Sequence, residues 1–347
     1  MKIAIIFGGS SYEHEISIVS AITLKGVIKN IDLEFIFIDA NREFFLIEKS
    51  DMKSKFFSSK EYLKKAKKLS LQKGGFFVNG LFGNKKIEFD VALNLIHGRD
   101  GEDGKLASLF EFFDIKYIGP RVEASVISYN KLYTKLYASS LGVKVIDYKV
   151  ISSNDSRDLD LNYPVIIKPL RLGSSIGVSI VRGKDELDYA LDVAFEFDNQ
   201  VLIEPFIEGI KEYNLAGAYA NGWELSIIEE PTKEEFLDFD KKYLDFSRDE
   251  RANVADIDET LKKSLEETFK KIYNPLFIGA IIRCDFFVKD NEIYLNEINP
   301  IPGSMANYLF DDFNKILSLV ATNLPTQKNI KIDYLYINNI QKAKGKA

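Results

Sequence analysis

Residues 278–305 read IGAIIRCDFFVKDNEIYLNEINPIPGSM, and the reading of this stretch governs the rest of the chain. Apolar residues flank Arg283 and Asp285, and Lys289-Asp290-Asn291-Glu292 has turn composition. Residues 293–298 resume the alternation, so two strands joined by a tight turn are expected. Side chains two apart on a strand share a face, which groups Arg283 with Asp285 and Glu297 with Asn299. A connection with an odd number of residues sets Asp285 opposite Glu297 and Arg283 opposite Asn299. Two carboxylates, an amide oxygen and a guanidinium then share one patch. Buried carboxylates are costly without compensation, and hard oxygen donors with no His or Cys suit Mg²⁺ and substrate phosphates. An ordinary hairpin with one solvated polar face would show the same alternation. The following Pro300-Ile301-Pro302-Gly303-Ser304 favours a ligand, because a rigid turn ending in Gly lets backbone N–H groups approach closely.

The bounds fit a soluble intracellular protein. At 347 residues the chain can form two or three domains, and a formal net charge of -6 disfavours a nucleic-acid partner. Cys284 is the only cysteine, which excludes an internal disulfide, and its alternation points it away from Asp285, toward packing. His14 and His97 are the only histidines, too few for the usual zinc site. The apolar run at the N-terminus is short for a signal peptide, and no run is long enough to span a bilayer, so a soluble cytoplasmic protein without a membrane partner is expected.

In chain order, residues 2–7 read as a buried strand and Gly8-Gly9-Ser10-Ser11 as a turn into a helix over 13–24. Strands at 33–39 and 89–96 and a helix at 104–113 continue an alternation that predicts a parallel sheet. Residues 48–73, rich in Lys, Ser and Phe, read as a peripheral insertion with a solvated charge run. The loop His97-Gly98-Arg99-Asp100-Gly101-Glu102-Asp103-Gly104 carries three glycines, the mark of a chain folded tightly around something at a strand's carboxyl end. A helix over 123–141 carries Lys131 and Lys135. Val165-Ile166-Ile167-Lys168-Pro169 then places a lysine on an apolar strand, where an ammonium needs an anionic partner. The Gly-Ser-Ser-Ile-Gly loop at 173–177 has the donors of a phosphate-covering flap, although a simple hairpin loop would explain its glycines. The strand at 200–207 ends near Glu204-Pro205, leaving backbone groups that could read a purine edge. Residues 231–256 read as a lid, 261–273 as an amphipathic helix, and the stretch after 328 as a frayed basic tail.

Set side by side, GGSSYEHEIS, HGRDGEDG, PVIIKPLRLGSSIGVS, LIEPFI, DFDKKYL, RCDFF and NEINPIPG occur in an order and spacing that resembles the ATP-grasp superfamily, and within it the D-alanine:D-alanine ligases. The resemblance spans nearly the whole chain. It implies an α/β fold, α+β in part, with three domains: an N-terminal parallel-sheet domain at 1–119, a central one at 120–204 and a C-terminal one at 205–347. ATP would lie between two antiparallel sheets.

Carried over residue by residue, it implies that Lys131 and Lys168 contact the ATP phosphates, that Glu204 and Ile207 lie at the adenine edge and Glu212 at the ribose, and that Lys242 reaches the γ-phosphate from the lid. Asp285, Glu297 and Asn299 would hold two Mg²⁺ ions, or Mn²⁺ in their place. Glu13 would face the ammonium of the first D-alanine in a set with Ser174 and Tyr243, with His97 alongside, while Arg283 and the Gly303 amide stabilise the oxyanion. The second substrate would meet Ser304 and Tyr308. The implied enzyme is a homodimer supplying peptidoglycan precursors.

Two positions depart from the family: Pro300 stands where Thr is usual and Tyr308 where Ser meets the second substrate's carboxylate. Tyr243 favours D-alanine over D-lactate. A ligase for another acid and a nucleotide-binding protein without ligase activity are the competing readings. A dinucleotide-binding fold lacks its glycine fingerprint. From the hairpin alone, Asp285→Ala and Glu297→Ala are each expected to abolish turnover with unchanged circular dichroism; an active variant would remove the metal assignment.

Overall fold

The computed structural model describes residues 1–80, 83–231, 252–326, 328 and 330–343. Each third of the chain contributes one sheet. In the first, the run Ile3 to Phe7 is buried on both faces, as a central parallel strand requires. This strand, β1 (Lys2–Gly8), is followed by α1 (His14–Val27), β2 (Asp32–Ile38) and β3 (Phe44–Ile47). After them come α2 (Ser54–Ser58), α3 (Tyr62–Lys65), β4 (Lys67–Gln72), β5 (Gly75–Val78), β6 (Lys85–Lys86), β7 (Val91–Asn94), α4 (Lys105–Phe112) and β8 (Tyr117–Ile118). The sheet order is β6-β5-β4-β3-β2-β1-β7-β8. It is parallel through β2, β1, β7 and β8, and antiparallel from β2 outward to β6.

The lysine-rich stretch is therefore no solvated appendage. Met52, Phe56, Phe57 and Tyr62 are buried in the main core, and residues 67–72 form a strand of the sheet. Its lysines face water while its aromatic rings pack against Phe7 and Phe37, a periodicity hidden by the density of charge.

The helix expected over 123–141 is two helices, α5 (Val122–Tyr129) and α6 (Lys131–Ser140). Asn130 leaves the helical region, and its side-chain oxygen accepts hydrogen bonds from the Leu132 and Tyr133 amides, so it caps α6. The break leaves Lys131 at the first position of α6. The second sheet follows, from β9 (Lys149–Ser152), β10 (Val165–Pro169), β11 (Ser179–Val181) and β12 (Gln200–Pro205), in the order β11-β10-β12-β9. Helix α7 (Lys184–Phe195) covers one face of it with Leu187, Ala190, Leu191 and Ala194.

The third sheet is antiparallel, in the order β14-β13-β15-β16, from β13 (Lys211–Tyr219), β14 (Trp223–Glu229), β15 (Ile282–Lys289) and β16 (Glu292–Asn299). Helix Glu259–Tyr273 buries Leu265, Phe269, Ile272 and Tyr273 against it. The 3-10 segment Gly303–Leu309 and helix Phe313–Thr322 turn back onto the first domain, where Ile301, Met305, Leu309, Phe313 and Leu317 join the core of α1 and β1. The terminal helix Ile337–Ala343 buries nothing, and no helix among the described residues is long and apolar enough to cross a membrane.

The β15–β16 hairpin has the expected register, reached by an unexpected route. Its turn is the two-residue Asp290-Asn291, with φ of 51° and 61°, the positive pair that tight hairpins use. Such a turn pairs Lys289 with Glu292 and, continued regularly, would bring Asn296 opposite Asp285. A bulge shifts the register by one residue, so that Asp285 pairs with Glu297 and Arg283 with Asn299. The same bulge lets Leu295 and Ile298, three residues apart, both enter the core. Because both turn residues are left-handed, Asn291→Val should cost about 1–2 kcal/mol and lower the thermal midpoint, whereas Asn291→Gly should not lower it. Equal midpoints for the two variants would contradict this account of the turn.

Candidate active site

Three groups of polar side chains meet where the sheets converge. The first is centred on Glu13, buried just ahead of α1. A Cβ on Gly98 would lie 2.4 Å from Glu13 Oε2 and one on Gly173 3.2 Å from Oε1, so both loops need glycine to approach this carboxylate. Gly98 also has a φ of +69°. Ser174, itself left-handed at φ 59°, donates its hydroxyl to Glu13 Oε1, and Oε2 has no hydrogen-bond partner. Burial, reinforced by the charge of Glu102, raises the Glu13 pKa to about 7, against smaller opposing effects of the Ser174 hydroxyl, His97 and Lys131.

His97 is buried beside it. Its Nδ1 lies 2.9 Å from the Ile301 carbonyl, which can only accept, so Nδ1 carries the proton. Nε2 then accepts from the Ser20 hydroxyl at 3.0 Å, and the Ser304 amide donates to Ser20 Oγ at 3.1 Å. Burial holds the imidazole pKa below its ordinary value, partly offset by Glu13, and the ring is neutral at pH 7. This chain ties the turn bearing Gly303 to the first domain. Ser304 is 3% exposed with an unpartnered hydroxyl oxygen, a donor available to a ligand.

The second group lies between α6 and the second sheet. The Lys131 ammonium donates to the Leu172 carbonyl at 2.5 Å. Lys168 and Glu204, on neighbouring strands, pair at 2.8 Å, and Lys135 meets the other Glu204 oxygen at 2.5 Å. Burial alone would raise Glu204, but the two lysines outweigh it and hold the carboxyl below its ordinary range. Burial likewise pushes Lys168 down, and Glu204 more than offsets it. Both oxygens of the Glu204 carboxylate are committed to lysines, so an adenine edge near Glu204 would be met by backbone groups, as the sequence reading has it. The ladder also runs on through Pro205 opposite Val165, with the Phe206 amide bonded to the Pro164 carbonyl at 2.9 Å. Ile207, half-buried, is the first residue past that pairing, and Glu212 lies close enough to act on the charge of Lys168.

The third group is the polar face of the β14-β13-β15-β16 sheet. Glu229, Asn214, Asp285 and Glu297 form one cross-strand row. Arg283 grips Asp285 with two hydrogen bonds of 2.7 and 2.8 Å, and Asn299 Nδ2 donates to the same carboxylate at 2.9 Å. Tyr308 reaches Glu229 at 3.4 Å, and Asn214 donates to Glu229 at 3.1 Å. The charge of Glu297 acts on Lys131, Lys168 and Glu102, which links this row to the other two groups. Among the described residues no three His, Cys, Asp or Glu side chains gather into a metal site of their own. Two carboxylates and an amide at one edge of the row nevertheless suit a hard cation whose remaining ligands come from a nucleotide.

The structure thus brings together Glu13, Ser174 and His97, then Lys131 and Lys168, then Arg283, Asp285, Glu297, Asn299 and Tyr308. Lys242 and Tyr243 lie outside the described residues. Sequence reasoning passed over Glu102, 3.8 Å from His97 Nδ1 and raised to about 8 by burial. It also assigned nothing to Lys135, Asn214 and Glu229. Glu102 sits in the three-glycine loop and Lys135 one helical turn beyond Lys131, so position alone carried a signal for those two.

Residues 2–120 match the family model described as D-ala D-ala ligase N-terminus, and residues 137–315 the one described as D-ala D-ala ligase C-terminus. A curated D-alanine--D-alanine ligase of Sulfurovum sp. (strain NBC37-1) is 65% identical over 347 residues, covering 100% of both chains. One from Wolinella succinogenes is 61% identical with the same coverage. A crystal structure of D-alanine–D-alanine ligase from Helicobacter pylori matches with a TM-score of 0.85 and 51% identity, covering 94% of this chain and 100% of that one.

The Glu13 environment sets a pH dependence. Its folded pKa of about 7 exceeds the ordinary 4.5, so its contribution to stability is complete below pH 4.5 and is lost as pH rises toward 7. By pH 8 the ionised, buried carboxylate costs on the order of 3 kcal/mol. Glu13→Gln should therefore gain thermal stability over the parent, more at pH 8 than at pH 5; an equal offset at both pH values would contradict the buried-acid account.

Proposed function

Since the chain belongs to the D-alanine–D-alanine ligase family, we propose that its reaction runs in the cleft between these three groups, divided among side chains as follows. The chain is an ATP-dependent ligase joining two D-alanines for cell-wall synthesis. The observation that carries the division is the Asp285–Glu297 pair, with Arg283 and Asn299 beside it, facing the cleft that Lys168 enters from the second sheet.

ATP phosphorylates the carboxylate of the first D-alanine, and the amine of the second attacks the acyl phosphate, releasing phosphate and the dipeptide. Glu13 receives the first ammonium. Because Glu13 is half protonated near pH 7, binding that cation draws the carboxyl to its charged form and releases a proton. Ser174 holds the carboxylate from the flap, and Tyr243 completes the set from the lid. Lys131, Lys168 and Lys242 face the phosphates, while Glu204, through its backbone, and Ile207 take the adenine edge and Glu212 the ribose. Asp285, Glu297 and Asn299 would hold two Mg²⁺ ions, or Mn²⁺, which when bound offset phosphate charge. Arg283 and the Gly303 amide are placed for the oxyanion. Neutral His97 fixes the carbonyl of Ile301 two residues ahead, and so aims the Gly303 turn. Ser304 and Tyr308 border the second substrate, where a phenol replaces a smaller hydroxyl.

An acyl phosphate hydrolyses in water, so the flap over Glu13 also serves exclusion. The division at 1–119, 120–204 and 205–347 is supported by one sheet falling in each part. We place the enzyme in the cytoplasm as a homodimer with small-molecule substrates only. The deciding experiment measures phosphate release from Mg-ATP with D-alanine alone and with added D-serine or D-lactate, products being identified by mass. Release dependent on D-alanine, with the dipeptide dominant, is expected; release only with another second substrate would leave the mechanism and remove the assignment of the second site.

A further inference from the structure

Lys135 stands apart from the other lysines of the cleft. Its side chain is 2% exposed, and the partners of its ammonium all lie inside the protein. It meets Glu204 Oε1 at 2.5 Å and the Ile146 carbonyl at 3.2 Å, and lies 5.3 Å from the centre of the Tyr148 ring. No direction remains from which a substrate could reach it. Lys168 differs. Its ammonium has one strong partner, Glu204 Oε2 at 2.8 Å, and a long contact to Asn296 Oδ1 at 3.5 Å. The trio Lys135–Glu204–Lys168 carries one negative and two positive charges in a dry setting.

We propose that Lys135 is a positioning residue for the nucleotide phosphates: it shares the Glu204 carboxylate, so that Lys168 retains a surplus of positive charge toward the cleft. Without Lys135, Glu204 and Lys168 form a balanced pair, and a phosphate must compete with a full carboxylate for the ammonium. With it, each lysine holds about half of that carboxylate; Glu297 and Glu212 act on Lys168 more weakly than Glu204 does, and the cleft side of the ammonium is left for the ligand.

The inference rests on the placement of Lys168 at the phosphates, and the test separates the two. ADP and adenosine, each with Mg²⁺, are titrated by calorimetry into the parent enzyme, Lys135→Met, Lys135→Arg, Glu204→Gln, the double variant Lys135→Met/Glu204→Gln, and Lys168→Met. Lys135→Met should weaken ADP about tenfold and leave adenosine within about twofold, because only the phosphates sense the surplus charge. Lys135→Arg should restore ADP binding. The double variant should recover most of the loss, since removing the carboxylate frees Lys168 again. Unchanged ADP binding in Lys135→Met, an equal loss of adenosine, or a double variant as weak as Lys135→Met overturns the proposal. Should Lys135→Met not fold, Glu204→Gln decides: ADP binding as tight as the parent or tighter supports it, and weaker binding overturns it. Unchanged ADP binding in Lys168→Met would instead remove the phosphate role of Lys168, independently of Lys135.

Discussion

The site depends on keeping one carboxylate, Glu13, out of water without neutralising it. Two glycine loops from different domains, at Gly98 and Gly173, close to within contact of it, and the flap serine supplies a single hydrogen bond. A lysine paired with Glu13 would make the fold more secure but would fill the place beside Oε2 that has no hydrogen-bond partner. Instead the compensating charge of Lys131 stands at a distance and His97 stays neutral, so the acid remains poised near neutrality. Glu102 is held in the same way. Such acids cost stability at physiological pH, and the large aromatic and aliphatic core around Phe7, Phe37 and Leu317 offsets that cost.

Opposite electrostatics operate a short distance away. Asp285 is gripped by a bidentate arginine and Glu204 by two lysines, which hold the Glu204 carboxyl below its ordinary range. Acids with no cation in hydrogen-bond reach gather around His97, while acids gripped by cations lie on the second and third sheets. The distinction follows from whether a cationic partner is within hydrogen-bond reach, not from depth of burial, which is similar in both.

Much of this was legible in the chain because strand alternation is a local property. The faces of Arg283, Asp285, Glu297 and Asn299 follow from spacing alone, and the parallel centre of the first sheet from its unbroken apolar run. What was not legible is non-local. The bulge that sets Glu297 opposite Asp285 depends on Leu295 and Ile298 both finding room in the core, which no reading of the hairpin by itself reveals. Asn130 interrupts a helical pattern because its own side chain competes for the next amides, a choice that periodicity does not register. The lysine-rich stretch was misread since charge density masked Phe56, Phe57 and Tyr62. The partnership of Glu204 with Lys135 joins residues 69 positions apart and rests on helix packing across a sheet.

The chain from the Ser304 amide through Ser20 and His97 to the Ile301 carbonyl is more than a local tether. Every link has a fixed direction, and it runs beside a hydrophobic core shared by the first domain and residues 301–320. Parting those two bodies would break a buried relay and tear that core. The second sheet meets the Glu13 loop through the Ser174 hydroxyl and the Tyr12–Phe197 ring contact, and keeps a separate core under α7. Mechanically the Gly303 turn and the Glu13 loop belong to one body, clamped by a directed relay and a common core, so neither can shift without carrying the other.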